Sequence, residues 1–240
     1  GSTGDGYKFA KQLGHTIVNP VPSLCPVLLN DEDINMVTGL TVKNVEISVF
    51  YNEKKLVSHF GDFLFTHRGI SGPLILTISD ILSGLDQNFI KLYCNFKPSI
   101  PIDELESRLL KDIDTNPKRE IKTLFLDYFP KSLGEYLLKK SNINPNTKLH
   151  EIKKDLRKNI LNLITNYKFE YKSLDHIRQA IVTKGGVSTK EIDSKTMESK
   201  IVPNLYFCGE IIDVNALTGG FNLQIAFSTG YAAGYYANSN

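Results

Sequence analysis

The chain has 240 residues, 41% of them hydrophobic and 22% charged, enough to bury a core in one large domain or several small ones. Its 28 basic and 26 acidic side chains leave a net charge of +2, too small a surplus to mark the whole chain as a nucleic-acid binder. Three scattered cysteines (Cys25, Cys94, Cys208) without zinc-ligand spacing, no apolar run near the ~18 residues of a membrane span and no charged-then-apolar leader predict a cytoplasmic protein with reduced thiols and no metal or membrane attachment.

The first residues, GSTGDGYKFAKQLGH, read as a Gly-rich loop running into a short helix over Tyr7 to Leu13 that stops at Gly14, and the lack of an initial Met suggests a start inside a larger protein. From Thr16 the pattern turns extended, punctuated by Pro20, Pro22 and Pro26. Val45, Ile47, Val49 and Tyr51 alternate up to a turn at Asn52-Glu53, and residues 89–96 form another strand candidate, so residues 16–96 read as a small antiparallel sheet or barrel. Inside this region, Ser71 is a candidate cap for a helix of about three turns beginning at Pro73.

From Pro101 the texture is helical and charged. Ile102, Leu105, Leu109 and Ile113 share one face, Pro117 and Pro130 stand where helices can begin, and Leu156, Ile160, Leu163 and Ile164 define a last amphipathic segment, about four short helices in all. Residues 101–172 hold 15 basic against 11 acidic side chains, with a cluster at 153–158, KKDLRK. No base-stacking aromatics are interleaved there, so a solvated helix face is preferred to a nucleic-acid surface. Residues 168–240 return to strands and Gly turns.

The end of the chain carries the densest signal. Leu205–Cys208 is a continuous apolar run suited to a strand buried on both faces, and Glu210 and Asp213 follow its carboxyl end, where ligands of open α/β sheets bind. Thr218-Gly219-Gly220 then leads into a helix whose first N–H groups lack intrahelical partners and favour a partly negative oxygen. Ala226, Gly230 and Gly234 recur every four residues, a ridge suited to close packing. Among the other titratable residues, His67 in FTHRG is the candidate proton donor or acceptor, Arg68 a candidate for an anionic substrate, and His15 a cap for helix-end carbonyls. His59, His150 and His176 suggest no partner, and Cys208 reads as packing within its strand.

The stretch VTKGGVSTKEIDSKTMESKIVPNLYFCGEIIDVNALTGGFNLQIAFSTGYAAG, together with GSTGDGYKFAKQLGH and GDFLFTHRGISGPLIL, closely resembles motifs of the bacterial NAD(P)/FAD-dependent oxidoreductases of the BaiN/RdsA type, which include the aminoacetone oxidase family FAD-binding flavoproteins. Where members commonly carry Asp-Gly ahead of Thr-Gly-Gly, this chain has Asn215-Ala216. The resemblance implies a multi-domain α+β or α/β fold: a partial Rossmann-like FAD-binding domain (1–15 and 183–240) interrupted by a six-stranded β-barrel insert (16–97, returning at 168–182) that carries a helical module (98–167). The family's first strand and G-x-G-x-x-G turn would precede this chain, which is therefore expected to be an N-terminally truncated fragment, inactive by itself.

By the same resemblance FAD is the cofactor and NAD(P)H a co-substrate. Gly209, Glu210 and Asp213 would flank the ribityl and pyrophosphate groups; Thr218, Gly219, Gly220, Phe221, Asn222, Leu223 and Gln224 would line the pyrimidine edge of the isoalloxazine, with Thr183 nearby. The implied activity passes electrons between a small organic substrate and a nicotinamide or dioxygen. The other reading, a binding module whose barrel and basic helices contact nucleic acid or a partner protein, is kept as the alternative.

Overall fold

The structure, a computed structural model, describes residues 3–238; Gly1 and Ser2, which open the expected Gly-rich loop, and residues 239 and 240 lie outside it. The chain divides into two compact units. The first gathers Gly1–Pro26, Ile75–Leu85 and Leu174–Asn240, and the second comprises Val27–Leu74 and Asp86–Ser173.

In chain order the helices are α1 (Asp5–Gln12), α2 (Pro73–Leu82), α3 (Ile102–Thr115), α4 (Ile121–Tyr128), α5 (Lys131–Lys140), α6 (Lys154–Thr165) and α7 (Phe221–Ala237). The strands are β1 (Ile17–Ser23), β2 (Val27–Leu29), β3 (Thr41–Tyr51), β4 (Lys54–Thr66), β5 (Gly69–Ser71), β6 (Ile90–Asn95), β7 (Tyr167–Phe169), β8 (Tyr171–Leu174) and β9 (Val182–Val187).

The second unit is built on a seven-stranded sheet in the order β7-β6-β3-β4-β5-β2-β8. Its centre is the long β3–β4 hairpin, in which Tyr51 pairs with Lys54 across Asn52 and Glu53 at φ 49° and 63°. Both turn residues are left-handed, the geometry whose twist matches that of the strands it joins. A bulge between Val42 and Val45 puts Asn44 at φ 56°, and the Asp62 carboxylate accepts its N–H at 2.9 Å. Alternation sends Val45, Ile47, Val49, Phe63, Phe65, Leu92 and Cys94 to the buried face, where Phe63 meets Phe65 and Phe169 edge-on.

The two edge strands β7 and β8 are consecutive in sequence, separated only by Glu170. A flat sheet of seven strands would hold its edges about 29 Å apart, whereas a one-residue link spans at most about 7 Å. The sheet is therefore rolled until its edges meet. It is not the six-stranded closed barrel that the resemblance implied: it has seven strands, and among the described residues no pairing joins β7 to β8. The break falls at Glu170, whose carbonyl accepts the N–H of Asn30 at 2.8 Å instead of joining a ladder between the edges.

Helices α3 to α6 complete this unit. Pro101 and Pro130 stand immediately before α3 and α5, and Asp103 and Glu104 occupy the first turn of α3, where carboxylates complement the helix dipole. Leu105, Leu109, Leu124, Phe125, Leu137, Ile160 and Ile164 are buried, but Ile102, expected on the same face as Leu105, is 55% exposed as the first residue of α3. Tyr136 donates to the Asp31 carboxylate and lies 2.7 Å from the Tyr167 hydroxyl. Burial of the two phenols raises both pKa values, that of Tyr167 to about 12. His150 turns its Nδ1 to the Pro117 carbonyl at 2.7 Å, a partner 33 residues away that no local pattern announces.

In the first unit, β1 pairs antiparallel with β9, apart from the seven-stranded sheet. The pairing is interrupted between Val18 and Val21, where Pro20 has no N–H to give. A small core of Ala10, Val187, Ile192, Met197, Phe207, Ile212 and Ala233 joins α1, β9, the following loops and α7. His15 caps as expected, with Nδ1 3.1 Å from the Ala10 carbonyl; its Nε2 reaches the Ser199 hydroxyl at 2.7 Å and its ring packs edge-on against Phe207.

Two expectations for this unit fail. Leu205–Cys208 forms no strand: its ladder is a single antiparallel bridge between Tyr206 and Glu198, since no neighbouring strand among the described residues offers a second row of partners. Cys208, expected to pack inside that strand, is exposed, while Cys25 and Cys94 are buried and burial pushes their thiol pKa values up. The ridge at Gly230 and Gly234 faces open space.

Candidate functional site

The first unit holds a hollow of about 980 Å³, within the range of cofactor and substrate sites. Its wall includes Gly4 just ahead of α1, Tyr7 of α1, Pro20 of the β1 bulge, Arg178, Thr183 of β9 and Glu210. Helix α1 starts at the hollow with Gly4 at φ 78° and no side-chain cap, so amides of its first turn point outward from the helix start. Tyr7 donates to the Glu210 carbonyl at 3.3 Å, tying α1 to the short 3₁₀ turn Gly209–Ile211. That turn is held on its other side by the Thr229 hydroxyl of α7, which accepts the Gly209 N–H at 2.9 Å. Arg178 stands in the turn Ile177–Gln179, its N–H bound by the His176 Nδ1 at 3.1 Å.

The candidate residues are thus only partly brought together. Thr183 and Glu210 line the hollow, and Gly209 adjoins it. Asp213 is placed one step away, its N–H donated to the Val187 carbonyl at 2.9 Å. Thr218, Gly219, Gly220, Phe221, Leu223 and Gln224 form an exposed tip and helix start that do not line the hollow. Gly220 precedes α7 in a left-handed conformation without a side-chain cap, and the first intrahelical bond is Gln224 N–H to Gly220 O at 3.0 Å. The N–H groups of Phe221, Asn222 and Leu223 therefore have no partner within the helix.

Asn222 differs from its expected role toward a cofactor. Its Oδ1 accepts the Ala216 N–H at 2.8 Å and its Nδ2 donates to the Ala216 carbonyl at 2.6 Å, a two-way staple that fixes the loop ahead of α7. His67 lies in the second unit, and not in a loop directly before a helix: Thr66 pairs with Gly69, so His67 and Arg68 are the two turn residues between β4 and β5. Ser71, the expected cap of α2, is the last residue of β5.

Sequence reasoning missed Asp80. Its Oδ1 accepts the Ser23 hydroxyl and the Asn215 amide, each at 2.8 Å, with Lys184 Nζ at 3.9 Å. The one charged residue in the helix PLILTISDIL was the available signal. Among the described residues no group of three or more His, Cys, Asp or Glu could hold a metal ion, and no helix is long and apolar enough to cross a membrane.

The profile of a family described as HI0933-like protein barrel and H2TH domain matches residues 21–182. The chain belongs to this HI0933-like family. Among its relatives is the ribosomal RNA dihydrouridine synthase of Haemophilus influenzae, 34% identical over 232 residues, which cover 97% of this chain and 55% of the relative. The ribosomal RNA dihydrouridine synthase of Escherichia coli is 31% identical over 238 residues, 97% of this chain and 56% of the relative. The 3-dehydro-bile acid delta(4,6)-reductase of Clostridium scindens is 29% identical over 236 residues, 98% of this chain and 58% of the relative. The chain thus spans little more than half the length of these relatives.

Proposed function

We propose that this chain is part of an FAD-dependent oxidoreductase that reduces a carbon–carbon double bond conjugated to a carbonyl. The observation that carries the reading is the agreement between relatives: making dihydrouridine and reducing a delta(4,6)-unsaturated 3-dehydro bile acid both add two electrons and two protons across such a bond. The first unit, in this reading, is the portion of a Rossmann-like FAD domain that meets the isoalloxazine, and the remainder of that domain belongs to the longer protein.

The residues present fit such a cofactor. The two helices that start at left-handed glycines offer uncapped amides, the donor type that stabilises negative charge on a flavin pyrimidine ring, and the hollow beside α1 is walled by Pro20, Ile177 and Ile211 as well as by polar groups. When bound, FAD supplies the hydride transfer, taking electrons from a reduced nicotinamide. The chain's own part is to hold and orient. Phe221 to Leu223 present N–H donors, Thr183 and Glu210 offer hydrogen bonds along the hollow, and Arg178 supplies a positive charge for an anionic group of the substrate.

The test is the visible spectrum of the whole protein. We expect a bound flavin that is bleached by a reduced nicotinamide and recovers its colour on adding an α,β-unsaturated ketone or a uridine-containing RNA. A whole protein that binds no flavin overturns the proposal, and a flavin reoxidised only by dioxygen replaces the reductase reading with an oxidase one.

A further inference from the structure

We propose that Asp80 is the positioning residue of the loop from Asp213 to Gly220, holding it through Asn215 so that the amides opening α7 keep one direction. Asp80 lies on α2 with its side chain 20% exposed. Its carboxylate gathers groups from the two other stretches of the first unit. Ser23 of β1, 57 residues away, donates its hydroxyl, and Asn215, 135 residues away, donates its side-chain amide. Lys184 of β9, 104 residues away, donates to the Asp80 carbonyl at 3.4 Å while standing 3.9 Å from the carboxylate.

The loop has two further anchors, the Asp213 N–H on the Val187 carbonyl and the Asn222 staple on Ala216. Asn215 lies between them and provides the anchor to α2. Only then does the chain run free into the exposed tip 217–220. An ionised carboxylate is acceptor-only, so the bond requires a donor at 215, which Asn has and Asp lacks. Asn215→Asp would set two carboxylates against one another with Lys184 as the nearest cation. The inference rests on the functional reading only in taking this loop to face the cofactor.

The experiment is amide hydrogen exchange at Ala216 and Gln224, the bonded amides on either side of the tip, in this chain, with the core amides of β9 as the internal reference. Asn215→Asp is expected to speed exchange at these two amides about tenfold, the effect of losing one hydrogen bond to a charged group, while β9 is unchanged. Asn215→Ala, which removes the donor without adding charge, gives a smaller rise and serves if the Asp variant fails to fold. Adding Asp80→Asn to Asn215→Asp restores an amide–carboxylate pair of reversed polarity and brings the rates back to within about threefold of the original. Unchanged exchange in both single variants at 215, or no rescue by the exchanged pair, overturns the proposal.

Because this measurement needs no cofactor, it decides the positioning role separately from the function. In the whole protein loaded with FAD, Asn215→Asp is expected to shift the flavin reduction midpoint, and the exchanged pair to return it. Faster exchange at Ala216 and Gln224 with an unmoved flavin midpoint overturns the loop's place at the cofactor.

Discussion

Gly186 sits in β9 at φ 137°, where a Cβ would stand 2.4 Å from the Ile211 carbonyl oxygen. That backbone-to-backbone approach cannot relax by a rotamer change, so Gly186→Ala should destabilise the first unit by about 2–4 kcal/mol, read from the urea midpoint. Gly185-Gly186 announced a tight place in the sequence, but only the fold says what presses on it. Charged residues behave likewise. The Thr16 hydroxyl and N–H hold the Glu191 carboxyl below its usual pKa, and the N–H groups of Thr196 and Lys195 with the Thr196 hydroxyl do the same for Asp193. Both pKa values are depressed in the folded state, so the stabilisation is complete above the unfolded carboxylate pKa near ~4 and is lost as pH falls through the folded values. Glu191→Gln with Asp193→Asn should therefore flatten the fall of the unfolding midpoint below about pH 4, leaving its dependence near neutral pH unchanged. His15 was legible as a cap from Gly14 beside it, whereas Ser199, 184 residues away, was not.

Elements were legible where their cause is local. The alternation of Val45, Ile47 and Val49 and the Asn-Glu turn recur in β3–β4, and Pro73 opens α2 as its fixed φ dictates. The first helix begins at Asp5, two residues before the expected Tyr7, because Gly4 supplies the left-handed entry that a periodicity argument cannot see. Leu205–Cys208 reads as a strand and is not one, since a strand exists only through a neighbour. Helix α7 shows the converse: Leu223, Phe227, Tyr231 and Tyr235 recur every four residues, yet all are more than half exposed, with Phe227 at 70% and Tyr231 at 76%. A stripe that stays mostly in water contributes little to this chain's stability. Phe227→Ser with Tyr231→Ser should leave the thermal midpoint within the change expected of about 0.5 kcal/mol and reduce self-association, as measured by light scattering.

At the scale of the whole molecule, the two units differ in how far along the chain their parts must travel. The second is dominated by a hairpin with a two-residue turn, while the first is assembled from three stretches, with β1 meeting β9 across more than 150 residues. Loop closure delays long-range pairing, so pulsed hydrogen exchange during refolding should protect β3–β4 before β1–β9. Simultaneous protection of the two would show that the units form in one step. The same contrast divides what could be known from the residues alone. Composition, turn chemistry and apolar period determined the strand-rich and helix-rich stretches and the glycines at tight places, because each depends on neighbours within a few positions. Tertiary structure decided that the sheet rolls without closing, that Asn222 serves its own loop and that Asp80 meets Ser23, Lys184 and Asn215. The first and last of those outcomes bring together segments as much as 140 residues apart, Asn30 and Glu170, for which no local pattern carries the information.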